Sequence, residues 1–259
     1  AAWAAAREAI GPHSAALSAF LDHEPQTNEV RRSAVLLAGF LTLAAETGLP
    51  IRAFEVGASA GLNASWDRFH YRLGDAEWGD PASPVDVPVE WSGALPPLDA
   101  RIEVAERAAC DRRPTDLTDP AQRRRLLANI WPDQFHRIDR SERAIEVALR
   151  EGVRVETADA VDWVRGRVRP RAGAVTVLYH SIFWQYLDPA TLQGLKDAIA
   201  ALAEQATAEA PFAWLRMEPP LDNLALTELR LTAWPGGEER RLAEVSPHGA
   251  WVRWSPGAG

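Results

Sequence analysis

The stretch Ile51-Arg-Ala-Phe-Glu-Val-Gly-Ala-Ser-Ala-Gly-Leu-Asn63 constrains the fold more than any other part of this chain. A short apolar run from Ala53 to Val56, interrupted by Glu55, gives way to Gly57 and Gly61. Such a pattern reads as a strand, a tight turn and a helix, the opening unit of a nucleotide-binding α/β domain. Gly57 lets the chain reverse at the strand tip. Gly61 lets the following helix pack close to the strand, or lets a ligand reach the backbone. Asn63 is expected to cap a helix that starts near Ala64.

Three chemistries compete for this turn. A dinucleotide fingerprint is not met, because Ser59 and Leu62 stand where its second and third glycines belong. Gly57-Ala-Ser59-Ala-Gly61 does spell the Gly-x-Ser-x-Gly of a nucleophile elbow. The third reading is an S-adenosylmethionine (SAM) site. That ligand lacks phosphate and carries a sulfonium, an ammonium and a ribose diol, so acids at strand tips suit it better than they suit a pyrophosphate.

The remaining pattern alternates. Thr27 or Asn28 is expected to cap a helix running to about Glu46, ended by Gly48 and Pro50. Residues 69–98 are rich in Gly, Asp and Pro and carry the alternation Val85, Val87, Val89, Trp91, so they read as an inserted hairpin or lid beside the turn, its prolines restricting it to an edge. A weaker strand closes on Cys110-Asp111. A helical stretch over 116–150 is interrupted at Pro132, and the strand Val153–Thr157 follows. Ala174-Val-Thr-Val-Leu-Tyr179 reads as a buried strand. After it come a helix from about Pro189 to Glu209, the strand Phe212–Met217 and two terminal strands, 228–233 and 249–254.

This order predicts an α/β fold: a Rossmann-like, doubly wound, mainly parallel sheet. It divides the chain into an N-terminal helical segment, 1–50, and a Rossmann-like domain, 51–259, with the insert at 69–98. Ligands of such sheets bind at the C-terminal strand ends, which here carry Glu55, Gly57, Asp111, Asp159, His180 and Glu218.

Composition narrows the partners. The chain of 259 residues has a net charge of −8, which disfavours the backbone electrostatics of nucleic-acid binding. Cys110 is its one cysteine, so no internal disulfide forms, and a reducing, cytoplasmic compartment is expected. No two histidines have His-x-x-x-His spacing, and no metal site is expected. No apolar run approaches the roughly 20 residues of a membrane span, and Ala1-Ala-Trp-Ala-Ala-Ala-Arg lacks the apolar core of a signal peptide. The sequence leaves the oligomeric state open.

Several motifs resemble a bacterial family of unknown function, DUF2332: Phe54 to Asn63, Trp66-Asp-Arg68, Arg107 to Pro114, Trp131-Pro-Asp-Gln134, Tyr179-His-Ser181, Trp184-Gln-Tyr186, Trp234-Pro-Gly236 and Pro247-His-Gly249. That family is in turn similar to class I SAM-dependent methyltransferases. This resemblance implies a SAM site built from Glu55, Gly57, Ala58, Ser59, Gly61 and Asn63, with Asp111 on the ribose hydroxyls and Asp159-Ala160 flanking the adenine. It also implies that Tyr179, His180 and Ser181 face a small-molecule acceptor. His180 is the candidate general base, because a neutral imidazole is available at pH 7. Trp184, Gln185, Tyr186 and Glu218 are expected to line the acceptor pocket. The gap from Gly57 to Asp111 is longer than in the typical fingerprint, and no Asp/Asn-Pro-Pro-aromatic run is present, which argues against an exocyclic amine as acceptor.

Two other functions fit parts of the chain. A serine hydrolase would use Ser59 as nucleophile, with Asp159 or Glu218 and then His248 following in chain order. A non-catalytic Rossmann-like domain would bind a nucleoside or a protein partner.

Overall fold

The alternating strands and helices assemble into one eleven-stranded sheet. The computed structural model describes residues 2–21, 26, 28–220 and 223–257. In chain order the strands are β1 (Ile51–Val56), β2 (His70–Leu73), β3 (Ala76–Trp78), β4 (Asp86–Gly93), β5 (Val104–Asp111) and β6 (Val155–Thr157). They continue with β7 (Val175–Ser181), β8 (Phe212–Glu218), β9 (Thr227–Trp234), β10 (Glu239–Val245) and β11 (Trp251–Trp254). The α-helices are α1 (Ala2–Ile10), α2 (Ser14–Leu21), α3 (Arg32–Thr47), α4 (Pro120–Ala128), α5 (Phe135–Arg150), α6 (Ala160–Arg167) and α7 (Pro189–Ala203).

Strand order is β3-β2-β4-β11-β10-β9-β8-β7-β1-β5-β6. The run β6-β5-β1-β7-β8 is parallel throughout. Taken in chain order, these five strands stand third, second, first, fourth and fifth across the sheet, the arrangement of a doubly wound α/β fold. The order reverses between β1 and β7, and that switch point lies at the glycine turn.

Side chains alternate across the sheet and divide the core. Ile51, Ala53, Val175, Val177, Tyr179, Ala213 and Leu215 face one side with α3 and α5, whereas Phe54, Val56, Leu178 and Phe212 face the other with α6 and α7. Period-2 alternation is what lets one parallel strand feed two cores. On the α3 side, Phe40 stacks on Trp66 at 4.1 Å and meets Tyr179 edge-on at 5.2 Å. Twelve of the sixteen residues of α3 are buried, so it belongs to the core of the sheet although the sequence sets it in a separate N-terminal segment.

Two expectations change. The 69–98 insert does contain a hairpin, with Tyr71 opposite Trp78. It extends the far edge of the sheet through β4, which pairs in parallel with both β2 and β11, and does not cover the glycine turn. Val85, Val87 and Val89 are buried, which is why the segment joins the core and β4 lies inside the sheet. The terminal strands number three: Glu239-Arg-Arg-Leu-Ala-Glu-Val245 pairs with both neighbours as β10 although its sequence is mostly charged.

Candidate functional site

β1 leads into Gly57 with φ of 69°, the left-handed region open to glycine. A Cβ at this position would stand 2.3 Å from Cδ2 of Phe183, so that ring lies directly on the turn. Ser59 also has a positive φ, 55°, and its N–H donates to Asp111 Oδ2 at 2.8 Å. The other oxygen of Asp111 accepts the Arg113 N–H at 2.8 Å, and Ala58 N–H donates to Cys110 O at 3.1 Å. Asp111 thus pins the turn to the tip of β5, while each of its oxygens keeps a second acceptor direction. Gly61, with φ of 72°, makes room for Val155 and Val153.

Asn63 does not cap a helix. Leu62–Arg68 is a 3-10 helix, Asn63 lies buried inside it, and its amide donates to Glu29 O at 3.3 Å. Asn28 performs the capping there, accepting the Leu62 N–H at 3.0 Å, whereas α3 begins without a side-chain cap. Thr27, the other capping candidate, lies outside the described residues. Asp159 caps α6 through the N–H groups of Val161 and Asp162, with Ala160 as the first helical residue.

Glu55 is buried at the C-terminal end of β1 and accepts the Tyr179 hydroxyl at 3.3 Å. Burial pushes its carboxyl up to about 8, against the opposing pull of the Tyr179 hydrogen bond. Burial likewise holds the Tyr179 phenol well above its usual range, so Tyr179 is a donor here and not a base.

His180 is fully buried. Its Nδ1 lies 2.7 Å from Glu218 Oε1. Its Nε2 faces two indole N–H donors, Trp184 at 2.6 Å and Trp214 at 3.0 Å. An indole only donates, so Nε2 must carry the lone pair and Nδ1 the proton. Burial lowers the histidine pKa further, which agrees with a neutral ring. The expected general base is therefore sealed: both nitrogens are engaged and no face of the ring meets solvent. Glu218 also accepts the backbone N–H groups of Phe183 and Trp184, at 2.8 and 3.4 Å. His180, Glu218, Trp184 and Trp214 together fix the turn that carries Phe183, and Ile182 in that turn has a positive φ of 50°, a strained value for a β-branched residue. Gln185 and Tyr186 are exposed just beyond it.

Ser181 contributes its carbonyl, which accepts Arg32 Nη1 at 3.3 Å, and Arg32 Nε donates to Pro247 O at 3.0 Å. Arg32 is buried at the start of α3 and is the residue that sequence reading overlooked. Its one signal was an arginine opening an otherwise apolar helix. The buried Ser59 hydroxyl has no hydrogen-bond partner among the described residues, and His248 lies in the field of Arg32. The hydrolase alternative thus finds no nucleophile-base pair here. Among the described residues no helix is long and apolar enough to cross a membrane, and no group of three or more His, Cys, Asp or Glu side chains could hold a metal ion.

No curated protein and no solved structure matches the chain. The family described as an uncharacterized protein conserved in bacteria matches residues 1–254, a span that takes in the glycine turn, the buried His180 cluster and the Pro247-His-Gly249 loop, and the chain belongs to this family, DUF2332.

Proposed function

We propose that the strand-tip site binds SAM and that the protein is a class I methyltransferase-like enzyme acting on a small-molecule acceptor. The observation that carries this reading is the position of two acids, Glu55 and Asp111, on either side of the Gly57–Gly61 turn at the switch point of the parallel sheet. Glu55 is a buried acid suited to an ammonium, since a cation is the natural partner of a carboxyl that burial otherwise keeps protonated. Asp111 retains acceptor capacity for a ribose diol beyond its two backbone donors. Asp159 and Ala160, at the tip of the next strand, border the adenine side.

Bound SAM would supply an electrophilic methyl group. The chain's own residues would bind and align the ligand, with Phe183 leaving Gly57 so that the turn's backbone is accessible. His180 acts in this scheme as a positioning residue for the Phe183 turn and takes no proton from the acceptor. The acidic surface charge favours a small acceptor over a nucleic acid.

Calorimetric titration with SAM and S-adenosylhomocysteine tests the reading. Micromolar binding that weakens at least tenfold in Glu55→Gln supports it. No binding of either ligand by folded wild type and by folded Phe183→Ala overturns it and leaves the non-catalytic domain ahead.

A further inference from the structure

Four arginines converge beside the strand tips from distant parts of the chain. Arg31 and Arg32 come from the start of α3, Arg137 and Arg140 from the first turns of α5. Glu29 is the carboxylate among them: its Oε2 lies 2.6 Å from Arg137 Nη2, and its Oε1 lies 3.8 Å from Arg31 Nε. Even the closer contact is too poorly directed to form a hydrogen bond, so Glu29 Oε2 stays unpartnered in that sense.

Arg32 and Arg140 are each only 7% exposed, yet their hydrogen bonds go to neutral carbonyls: Pro247 and Ser181 for Arg32, Asp86 for Arg140. No carboxylate among the described residues lies within ion-pair distance of either guanidinium. Nη1 of Arg140 and Nε of Arg31 and Arg137 are buried without any hydrogen-bond partner. Asp86 is already engaged by Arg72, at 2.6 and 3.0 Å. A carbonyl satisfies a donor but does not neutralise its charge, and a buried unpaired charge is costly. Of the carboxylates near the four guanidiniums only Glu29 is within ion-pair distance, with Glu218 acting on Arg32 and Asp86 on Arg140 from further away. Burial lowers the pKa values of Arg32 and Arg140, the carboxylates nearby opposing it in both, whereas at the exposed rim Arg32, Arg137 and Arg31 add to the effect of burial on His248. The Pro247-His248-Gly249 turn is laid onto this cluster: a Cβ on Gly249 would stand 2.5 Å from Arg31 O.

We infer that Arg31, Arg32, Arg137 and Arg140 form a binding site for the dianionic phosphoryl group of a small molecule. Planar guanidinium forks suit a tetrahedral oxyanion, which accepts from several donors at once. Of the four arginines Arg137 alone lines the adjoining cavity, with Glu29, Asn129 and Ser141, and that cavity holds about 10 Å³, room for one water. Binding therefore opens the Asn129–Gln134 connection, where Trp131 is exposed. This inference is independent of SAM binding, and its test reads phosphate alone.

The test is titration of the full chain with inorganic phosphate at ionic strength matched with potassium chloride, with malonate as the dicarboxylate comparison. Phosphate should bind wild type more tightly than malonate. Affinity should fall at least tenfold in Arg32→Gln and Arg140→Gln, rise at least fivefold in Glu29→Gln, and stay within twofold in Arg124→Gln, a change at an exposed site. Absence of phosphate binding by wild type overturns the inference, as does malonate binding as tightly as phosphate. If the buried arginine variants do not fold, Glu29→Gln decides: unchanged or weaker phosphate affinity in that variant overturns the site, because removing a competing carboxylate must strengthen a true anion site.

Discussion

Phe183 lies on Gly57 so closely that no other side chain fits between the ring and the turn, with only 2.3 Å available to a Cβ. The ring occupies the space through which a ligand would reach the turn's backbone. Phe183→Ala should therefore bind SAM or S-adenosylhomocysteine severalfold more tightly than wild type, since the cost of displacing the ring is removed. Calorimetry on both proteins checks this, and weaker binding by the variant would show that Phe183 contacts the ligand instead of excluding it.

Glu55 ties stability to pH. Its carboxyl titrates at about 8 in the folded chain against 4.5 as its ordinary value. The native state therefore holds a proton that the unfolded state has lost, and stability declines as pH rises from about 4.5 through about 8. Glu55→Gln removes this dependence. The variant should match wild type near pH 4 and exceed it at pH 9 by several kcal/mol, on the order of 1.4 kcal/mol per pH unit of the gap. Urea unfolding at the two pH values measures the difference.

His180 has the opposite sign. Burial lowers its pKa below the ordinary 6.5, so the unfolded chain takes up a proton below that pH while the native ring stays neutral. Its contribution to stability is present above pH 6.5 and lost as pH falls below it. His180→Ala should cost about 3–5 kcal/mol, since two indole N–H groups and Glu218 lose their partner inside the core. In His180→Gln the loss of stability between pH 7 and 5.5 should be shallower than in wild type, though not absent, because His248 is also depressed.

Asp159 holds the first turn of α6 through two backbone donors. Asp159→Ala should lower stability by about 1 kcal/mol, the usual cost of a lost N-cap, and Asp159→Asn by less. Denaturant midpoints of the two variants against wild type test the ranking.

Much of the parallel core was legible because its signals are local. The apolar run ending at Glu55 and Gly57, the buried strand before Tyr179, and the break at Pro132 between α4 and α5 each depend on neighbours in sequence. β10 was not legible, because Glu239-Arg-Arg carries its charges in cross-strand pairs and not in an alternating pattern: Glu239 meets Arg230 on the adjacent β9 and Arg216 on β8 beyond it. The insert at 69–98 announced strands but not their destination, since pairing β4 with β11 joins segments some 160 residues apart.

The sequence by itself determined the alternation of strands and helices, the glycine turn and the acids at the strand tips, because periodicity and turn chemistry act over a few residues. Only the tertiary structure decided what those residues meet. It turned His180 from an expected base into a sealed anchor by bringing Trp214 and Glu218 to its two nitrogens, and it gathered four arginines around Glu29. The hydrogen bond from Arg32 to Pro247 spans 215 residues. No local pattern encodes such a contact: it follows from how a twisted sheet brings distant strand ends to one face, where burial then sets the charge and protonation of whatever side chains arrive.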